Sequence, residues 1–485
     1  MKTKSLKINA VLNVIKQCCT LLFPLITFPY ISRILGADNY GKVNFSMTFV
    51  NYFFLIAALG ISTYAIREGS ALRNDKKKFQ LFANQIFTIN IISTIVAYLI
   101  LTLSLLIFNN LDSYKLLISI GSLGIIFTTL GRDWINTIYE DFGYLTVRYI
   151  VTQSLSVFFI LFFVKEKNDT ILYTWIITLA PIIANICNIF YIRKYVKLHI
   201  SFHINWKKHL QPIIILFANA IAISIYMNID ITMLGLFKSD NEVGIYSVAV
   251  KIYSMIKQLI NALIIVAIPR FSYLAVNNRI QSYELLASKI LNSIISILIP
   301  AVVGLCLLSK EIIFIISGSE YTSGYHAMQI LSISLIFAII ASFFAQGVLI
   351  PFRKETLLVK ATLISAVLNI VLNFIFIPLL SYNGAAFTTM IAELGMCILC
   401  INFVKRDISF TLNRNTIITV GMGCLFISII CISLKLIIQD LVLYTILSVV
   451  ISIFFYGLIL IWNKNDIIYP IIVKITSKIK IICKK

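Results

Sequence analysis

Apolar stretches recur along this chain, each closed by a short polar or basic segment, and about 20 apolar residues are what an α-helix needs to cross a bilayer's hydrocarbon core. The pattern predicts fourteen spans, at roughly 10–35, 43–66, 82–108, 115–138, 144–164, 171–193, 211–236, 243–268, 289–308, 326–350, 357–379, 384–404, 415–434 and 440–462. Helical wheels of two spans have one wet face. In span 8, Ser247, Lys251, Ser254, Lys257, Gln258 and Asn261 fall within an arc of roughly 120°, and Ile252, Met255, Ile256, Leu259 and Leu263 cover the rest. In span 1, Asn9, Asn13, Lys16, Gln17 and Thr20 occupy about 100°, with Pro24 and Pro29 offering a bend beyond them.

Composition agrees with a polytopic membrane protein. Over 485 residues, 59% are hydrophobic and 13% charged, with a mean hydropathy of +0.94, too little polar surface for a soluble chain of this size. The net charge of +21, from 41 Lys and Arg against 20 Asp and Glu, would suggest nucleic acid only if it formed a face on a soluble domain. Here it punctuates the apolar blocks. Most of it lies at the N-terminus (Lys2, Lys4, Lys7), in the C-terminal tail and in the loops on their side, whereas the opposite loops, Arg33 included, hold little. That asymmetry predicts cytoplasmic termini. Lys16, Lys251 and Lys257 lie within spans.

Several features carry no chemistry. The first span is too long for a signal peptide, contains Lys16 and lacks a small-residue cleavage site, so it is expected to be retained. The tail DIIYPIIVKITSKIKIICKK suits either an anionic membrane surface or a frayed basic end. Cys397 and Cys400 form a CxxC with no His or second pair nearby, so packing is expected rather than a metal or redox site. His199, His203 and His209 fall in one basic loop without a carboxylate pattern. GADNYGKV, residues 36–43, follows the phosphate-cradling G-x4-G-K pattern until Val43 and sits between two membrane helices, so no nucleotide site is expected. No cofactor or nucleic-acid partner is implied.

The same loop marks a repeat. LGADNYGKVNFS (35–46) and LGLFKSDNEVGIYS (234–247) each leave a helix at Leu-Gly, turn through polar residues and re-enter after a Gly. Six spans separate them. The expected architecture is therefore all-α, with two parallel-repeat six-helix lobes, 1–209 and 210–410, around a central cavity. Residues 411–485 add a helix pair and the basic tail.

An ionised Lys at the bilayer centre costs about 2.5–3.5 kcal/mol on insertion scales, so the wet faces imply water, a counter-charge or a ligand. Asp230 lies at a depth similar to Lys251 across the span 7–8 turn, and Glu393 in span 12 is a candidate partner for Lys257 or Lys16; either acid also suits ion coupling. At about 1.5 Å per residue, Lys251, Lys257 and Lys16 descend from the external end toward the cytoplasmic one, and Arg33 and Arg67 extend the series. Such a ladder suits a phosphate-bearing cargo. Asn13, Gln17, Ser254, Gln258 and Asn261 supply polar groups beside it.

PYISRILGADNYGKVNFS (29–46) resembles the first-helix signature of the bacterial polysaccharide exporters, the Wzx-type O-antigen flippases of the multidrug and oligosaccharidyl-lipid exporter superfamily. GRDWINTIYEDFGYLTVR (131–148), with Trp134 and Glu140, is similar to that family's loop before span 5. ISGSEYTSGYHAMQIL (316–331, with Gly318, Tyr321 and Ala327) and LNIVLNFIFIPLLSYNGAAFTTMIAE (368–393, with Asn369, Asn373, Pro378, Gly384, Ala385, Ala386 and Thr388) match later segments, the last one shared with drug exporters. The resemblance implies a multi-pass protein of the bacterial cytoplasmic membrane that moves undecaprenyl-pyrophosphate-linked oligosaccharide to the outer leaflet by alternating access. It implies lipid-linked oligosaccharide and membrane lipids as partners, with a polysaccharide polymerase and chain-length machinery beyond them. A cation-coupled drug exporter would favour an acidic interior, whereas three lysines stand here against Asp230 and Glu393. A membrane enzyme of polysaccharide assembly would need a larger extramembrane loop than 309–325, which offers only Lys310, Glu311 and Glu320. Replacing Lys257 by Ala is expected to abolish export without loss of protein.

Overall fold

The computed structural model describes residues 6–405 and 408–463, without the side chains of residues 6–11, 13, 14 and 21. The basic tail and the side chains of Asn9 and Asn13 therefore lie outside the described residues. Fifteen α-helices follow one another, and no strand occurs among the described residues: α1 (Leu6–Ala58), α2 (Ile61–Leu72), α3 (Lys76–Ile107), α4 (Lys115–Gly131), α5 (Asp133–Ile138), α6 (Phe142–Phe163), α7 (Thr170–Tyr191), α8 (Trp206–Phe237), α9 (Asp240–Val276), α10 (Ile280–Leu307), α11 (Ser309–Ser317), α12 (Tyr325–Phe344), α13 (Glu355–Val404), α14 (Arg414–Ile437) and α15 (Leu441–Trp462).

Among the described residues, twelve helical segments are long and apolar enough to cross a membrane. Two of them are double. The 53 residues of α1 would extend about 80 Å as one rod, far beyond a hydrocarbon core of about 30 Å, and the helix breaks at Gly36 (φ 72, ψ 172). The 50-residue α13 breaks likewise at Ser381 (φ 52, ψ −133). Twelve segments are thus compatible with fourteen crossings. The break in α1 falls at Gly36, where only a residue without Cβ turns easily; Pro24 and Pro29 stay inside the helix. Side chains such as Leu103, Leu106, Phe162, Leu436 and Phe454 are more than half exposed. A soluble protein does not leave apolar faces of that extent in water.

Two sequence expectations change. Residues 309–325 form α11 and a 3₁₀ turn rather than an open loop. Glu311 there is buried and accepts a hydrogen bond from Lys435 Nζ of α14 at 3.1 Å, so it is a packing ion pair. His209 belongs to the first turn of α8, not to a loop: it is buried, with Nδ1 2.8 Å from Tyr64 Oη and Nε2 2.7 Å from Gln85 Oε1. Both ring nitrogens are engaged, which satisfies a buried polar group.

The chain divides into two compact units, Met1–Gly244 and Ile245–Lys485. In the first, Ile61, Tyr64, Phe79, Ile86, Trp134, Ile138 and Ile213 form one buried cluster around α2, α3 and α5. Within the same unit the two repeated loop segments meet. A Cβ on Gly41 would strike the carbonyl of Asp240, and one on Gly244 would strike the carbonyl of Ala37, so Ala37-x3-Gly41 and Asp240-x3-Gly244 cross backbone to backbone. The small side chains of Ala37, Gly41 and Gly244 allow that approach. Lys42 Nζ lies 3.3 Å from Asp38 and 4.0 Å from Asp240, whose Oδ1 accepts from Tyr114 Oη at 2.5 Å.

In the second unit, α12 packs on α13 and α10, and the α14–α15 pair covers α10 and α11. Tyr283, fully buried, donates from its hydroxyl to the Gly347 carbonyl, which lies in the π-turn Ala345–Leu349 that ends α12. Cys397 and Cys400 are buried on α13 as packing residues.

Candidate functional site

Helix breaks create a polar cavity inside the N-terminal unit. Left-handed Leu59 and Gly60 end α1, and the freed Ala57 carbonyl accepts from Asn90 Nδ2 at 2.7 Å and Ser93 Oγ at 2.6 Å. At Gly131 a Cβ would meet the Asn185 side chain, so α4 and α7 close on each other there. Arg132 then adopts the left-handed region (φ 54, ψ 49) and separates α4 from α5. The cavity between these breaks and α6 measures about 380 Å³. That is within the range of small-molecule sites.

Among the described residues three cations line it, Lys16, Arg132 and Arg148, against a single carboxylate, Asp133. Arg148 Nη2 donates to Asp133 Oδ2 at 2.6 Å, and Asp133 Oδ1 accepts from Asn188 Nδ2 at 3.0 Å. The Arg148 side chain is only 9% exposed. Its Nε and Nη1, and the Nε of Arg132, have no hydrogen-bond partner among the described residues. Arg132 stacks over Phe87 at 3.7 Å, and Lys16 Nζ lies 5.9 Å from the Tyr149 ring centroid. Gln153, Asn185, Thr128 and Thr152 add neutral hydrogen-bonding groups to the wall. One carboxylate does not neutralise three cations, and unmatched buried charge favours an anionic ligand.

Lys257 presents the opposite case. In the C-terminal unit its Nζ donates to Glu393 Oε1 at 2.6 Å, and Tyr253 Oη donates to the same oxygen at 3.1 Å. The side chains are 18% and 6% exposed, so this is a largely buried, matched pair. Six residues back on α9, Lys251 is half-buried with no ion-pair partner among the described residues of its unit. Ser254 and Asn261 are half-buried and Gln258 is exposed. Of the candidates, therefore, Lys16 reaches the cavity and Glu393 meets Lys257. Arg33 and Gln17 are exposed and neither lines the cavity; Arg67, also exposed, donates to Glu68 at 3.0 Å. Asp230 is buried on α8.

Arg132 and Arg148 are the cations that the sequence pattern did not single out. Their signal is GRD at the end of span 4 and an Arg that falls more than a turn inside α6 rather than in the loop before it.

A family model described as polysaccharide biosynthesis protein matches residues 6–275, more than half of the chain. The chain belongs to that family. Among curated relatives, the chain is 23% identical to an Escherichia coli (strain K12) protein named "Putative O-antigen transporter", over 83% of this chain and 97% of the relative. It is 27% identical to the Haloferax volcanii "Probable low-salt glycan biosynthesis flippase Agl15", over 38% of this chain and 39% of that protein. In three dimensions it resembles the lipid II flippase MurJ in an inward closed conformation, with a TM-score of 0.75 and 17% identity over 94% of this chain and all of that one. It also resembles an inward-facing multidrug resistance MATE family transporter of the MOP superfamily, with a TM-score of 0.60 and 14% identity over 79% of this chain and 93% of that one. At these identities the solved structures establish the fold: the chain is an all-α membrane protein with a MurJ- and MATE-like fold. The two named curated relatives carry the names of a transporter and a flippase.

Proposed function

We propose that the protein is a flippase that carries undecaprenyl-pyrophosphate-linked oligosaccharide repeat units from the cytoplasmic to the outer leaflet of the bacterial cytoplasmic membrane by alternating access, for O-antigen or capsule synthesis. The observation that carries this reading is the polar cavity lined by Lys16, Arg132 and Arg148 against Asp133 alone. Family membership and the names of the two relatives supply the polysaccharide context. A pyrophosphate carries the charge that this wall lacks, and arginine forks suit its oxygens. Asn185, Gln153 and the threonines suit sugar hydroxyls. The polyprenyl chain stays in lipid.

Both termini are cytoplasmic in this reading, on the strength of the Lys and Arg asymmetry. A polysaccharide polymerase and its chain-length machinery consume the delivered unit. Lys257 contributes less to cargo binding than Lys16, because Glu393 already matches its charge. Arg33, Arg67 and Lys251 act on the approach of the phosphates rather than in the cavity. Asp230 is the candidate for ion coupling, Glu393 being held by Lys257. The drug-exporter reading, which the MATE-like fold permits, fits the wall less well: a cationic drug would face three like charges.

Depletion of the protein in its bacterial host tests the proposal. Lipid-linked oligosaccharide is expected to accumulate on the cytoplasmic leaflet. An unchanged distribution between leaflets after depletion would reject a flippase.

A further inference from the structure

Between α7 and α8 the chain runs as an extended strap along α3, in the N-terminal unit. Its backbone is pinned at every second residue. The Lys197 carbonyl accepts from Gln80 Nε2, the His199 N–H donates to Asn84 Oδ1 at 3.1 Å, and the Ser201 N–H donates to Thr88 Oγ1 at 2.8 Å. The register follows from geometry, because four helical residues and two extended ones both advance about 6–7 Å. As far as His199 the side chains alternate in and out: Val196 and Leu198 pack into the cluster around α2, α3 and α5, and Lys197 and His199 are exposed. The alternation then fails. Ile200 is 56% exposed and Phe202 93%, the most of any large apolar side chain among the described residues. The chain turns back at Phe202, and the His203 carbonyl accepts from Gln85 Nε2 at 3.1 Å, about one turn nearer the start of α3.

Depth accounts for that exposure. The far end of α3 is apolar and exposed at Leu106 and Ile107, and about 20 helical residues cross a hydrocarbon core, so the other edge of the core falls near Thr88, to which Ser201 is tied. Phe202 thus lies where headgroups give way to acyl chains. Around it Lys76, Lys77, Lys197, Lys207 and Lys208 are exposed. The acids of this end are matched by other cations: Glu68 by Arg67, Asp75 by Lys78, Glu140 by Arg73 and Asp141 by Lys194. We propose that the strap, residues 196–205, is a docking site for anionic phospholipid, with Ile200 and Phe202 seated among acyl chains and Lys197, Lys207 and Lys208 on the headgroup phosphates. The lipid supplies the counter-charge that the surrounding acids have already given to other partners, and the two apolar side chains leave water. Asn205, whose side chain accepts from the Lys208 N–H at 3.3 Å, starts α8 directly behind the strap and so fixes where its two lysines begin. The site rests on the strap's geometry and charge, not on the flippase reading.

The test is photocrosslinking of the purified full-length protein in vesicles of phosphatidylglycerol and phosphatidylcholine. The photoreactive residue p-benzoylphenylalanine replaces Phe202 or, for comparison, Leu106 at the other end of α3, and the lipid adducts are identified by mass spectrometry. The ratio of phosphatidylglycerol to phosphatidylcholine adducts is expected to be at least about fivefold higher at position 202 than at position 106, the factor that one lysine contributes near an anionic surface. Combining Lys197→Gln, Lys207→Gln and Lys208→Gln is expected to bring the ratio at 202 down to that at 106 while lipid adducts still form, because the hydrogen bonds to α3 set the depth of Phe202. No lipid adduct at 202, a cross-link to a second copy of the chain in its place, equal ratios at the two positions, or an enrichment that survives the triple variant overturns the proposal. The comparison of the two positions in otherwise wild-type protein decides the matter should the triple variant fail to fold. Because no transport is measured, lysine-dependent lipid docking in a protein whose depletion leaves the leaflets unchanged would retain the site and reject the flippase.

Discussion

In the N-terminal unit Arg148 is nine-tenths buried yet keeps two guanidinium nitrogens without partners among the described residues, whereas in the C-terminal unit Lys257 is similarly sheltered but delivers its charge to Glu393 at 2.6 Å, with Tyr253 on the same oxygen. The sequence presents both as basic residues in apolar helices. Their environments separate them. A matched pair with its hydrogen bonds complete has no chemical need of a ligand, and removing one member strands the other. A cation left partly unmatched beside a cavity has that need. The difference teaches that burial of charge alone does not mark a cargo site; the state of its counter-charge does.

The largest effect expected from breaking this contrast is at Glu393. Glu393→Ala leaves Lys257 buried and unpaired, a change that costs about 3–5 kcal/mol, read as a lower melting temperature in nanodiscs and a lower protein level. By the same argument Lys257→Ala strands Glu393, so loss of protein accompanies any loss of export in that variant. A melting temperature unchanged by Glu393→Ala would show that the pair carries no stability.

The double variant Lys257→Met with Glu393→Leu removes both charges and substitutes apolar volume. Such replacements are often neutral or stabilising by about 1–4 kcal/mol, so stability is expected to return to the wild-type level or above. Export is expected to be retained, measured as surface polysaccharide in a strain lacking the chromosomal copy. Failure of export in a stable double variant would move the pair from the scaffold into the cargo path.

Lys16→Ala sharpens the other side. Stability is expected to stay within about 0.5 kcal/mol, because among the described residues Lys16 meets the Tyr149 ring rather than a counter-charge, while surface polysaccharide falls at least tenfold. Normal polysaccharide with normal protein level would remove Lys16 from the site. The smallest effect is expected at Lys251, half-buried and without an ion pair among the described residues of its unit. Lys251→Met should raise stability by about 0.5–1 kcal/mol through relief of desolvation. A drop of more than about 1 kcal/mol in the same melt would reveal a partner for the ammonium group.

The reciprocal crossing of Ala37-x3-Gly41 and Asp240-x3-Gly244 shows how much of the fold the chain advertises. Both segments are recognisable as a repeat from their Leu-Gly exits and polar turns, yet nothing in either says that they cross each other. The candidate site was legible in the same partial way. Lys16 stood out because hydrocarbon-length patterning makes one charge conspicuous. Arg148 did not, because it lies close enough to the start of its span to pass for a surface residue, and Arg132 did not because it lies near the end of span 4, where a charge is inconspicuous. Segment 309–325 looked like a loop because its charges break the apolar run; in α11 the buried Glu311 is met by Lys435, distant in sequence.

The sequence by itself determined the membrane class, the helical elements and the sidedness expected of them, because bilayer thickness and loop charge act on consecutive residues and need no tertiary partner. Only the tertiary structure decided which buried cations are matched. Counter-charges such as Glu393 for Lys257 and Asp133 for Arg148 come from other helices, and electrostatic energy depends on distance in space, not on spacing along the chain.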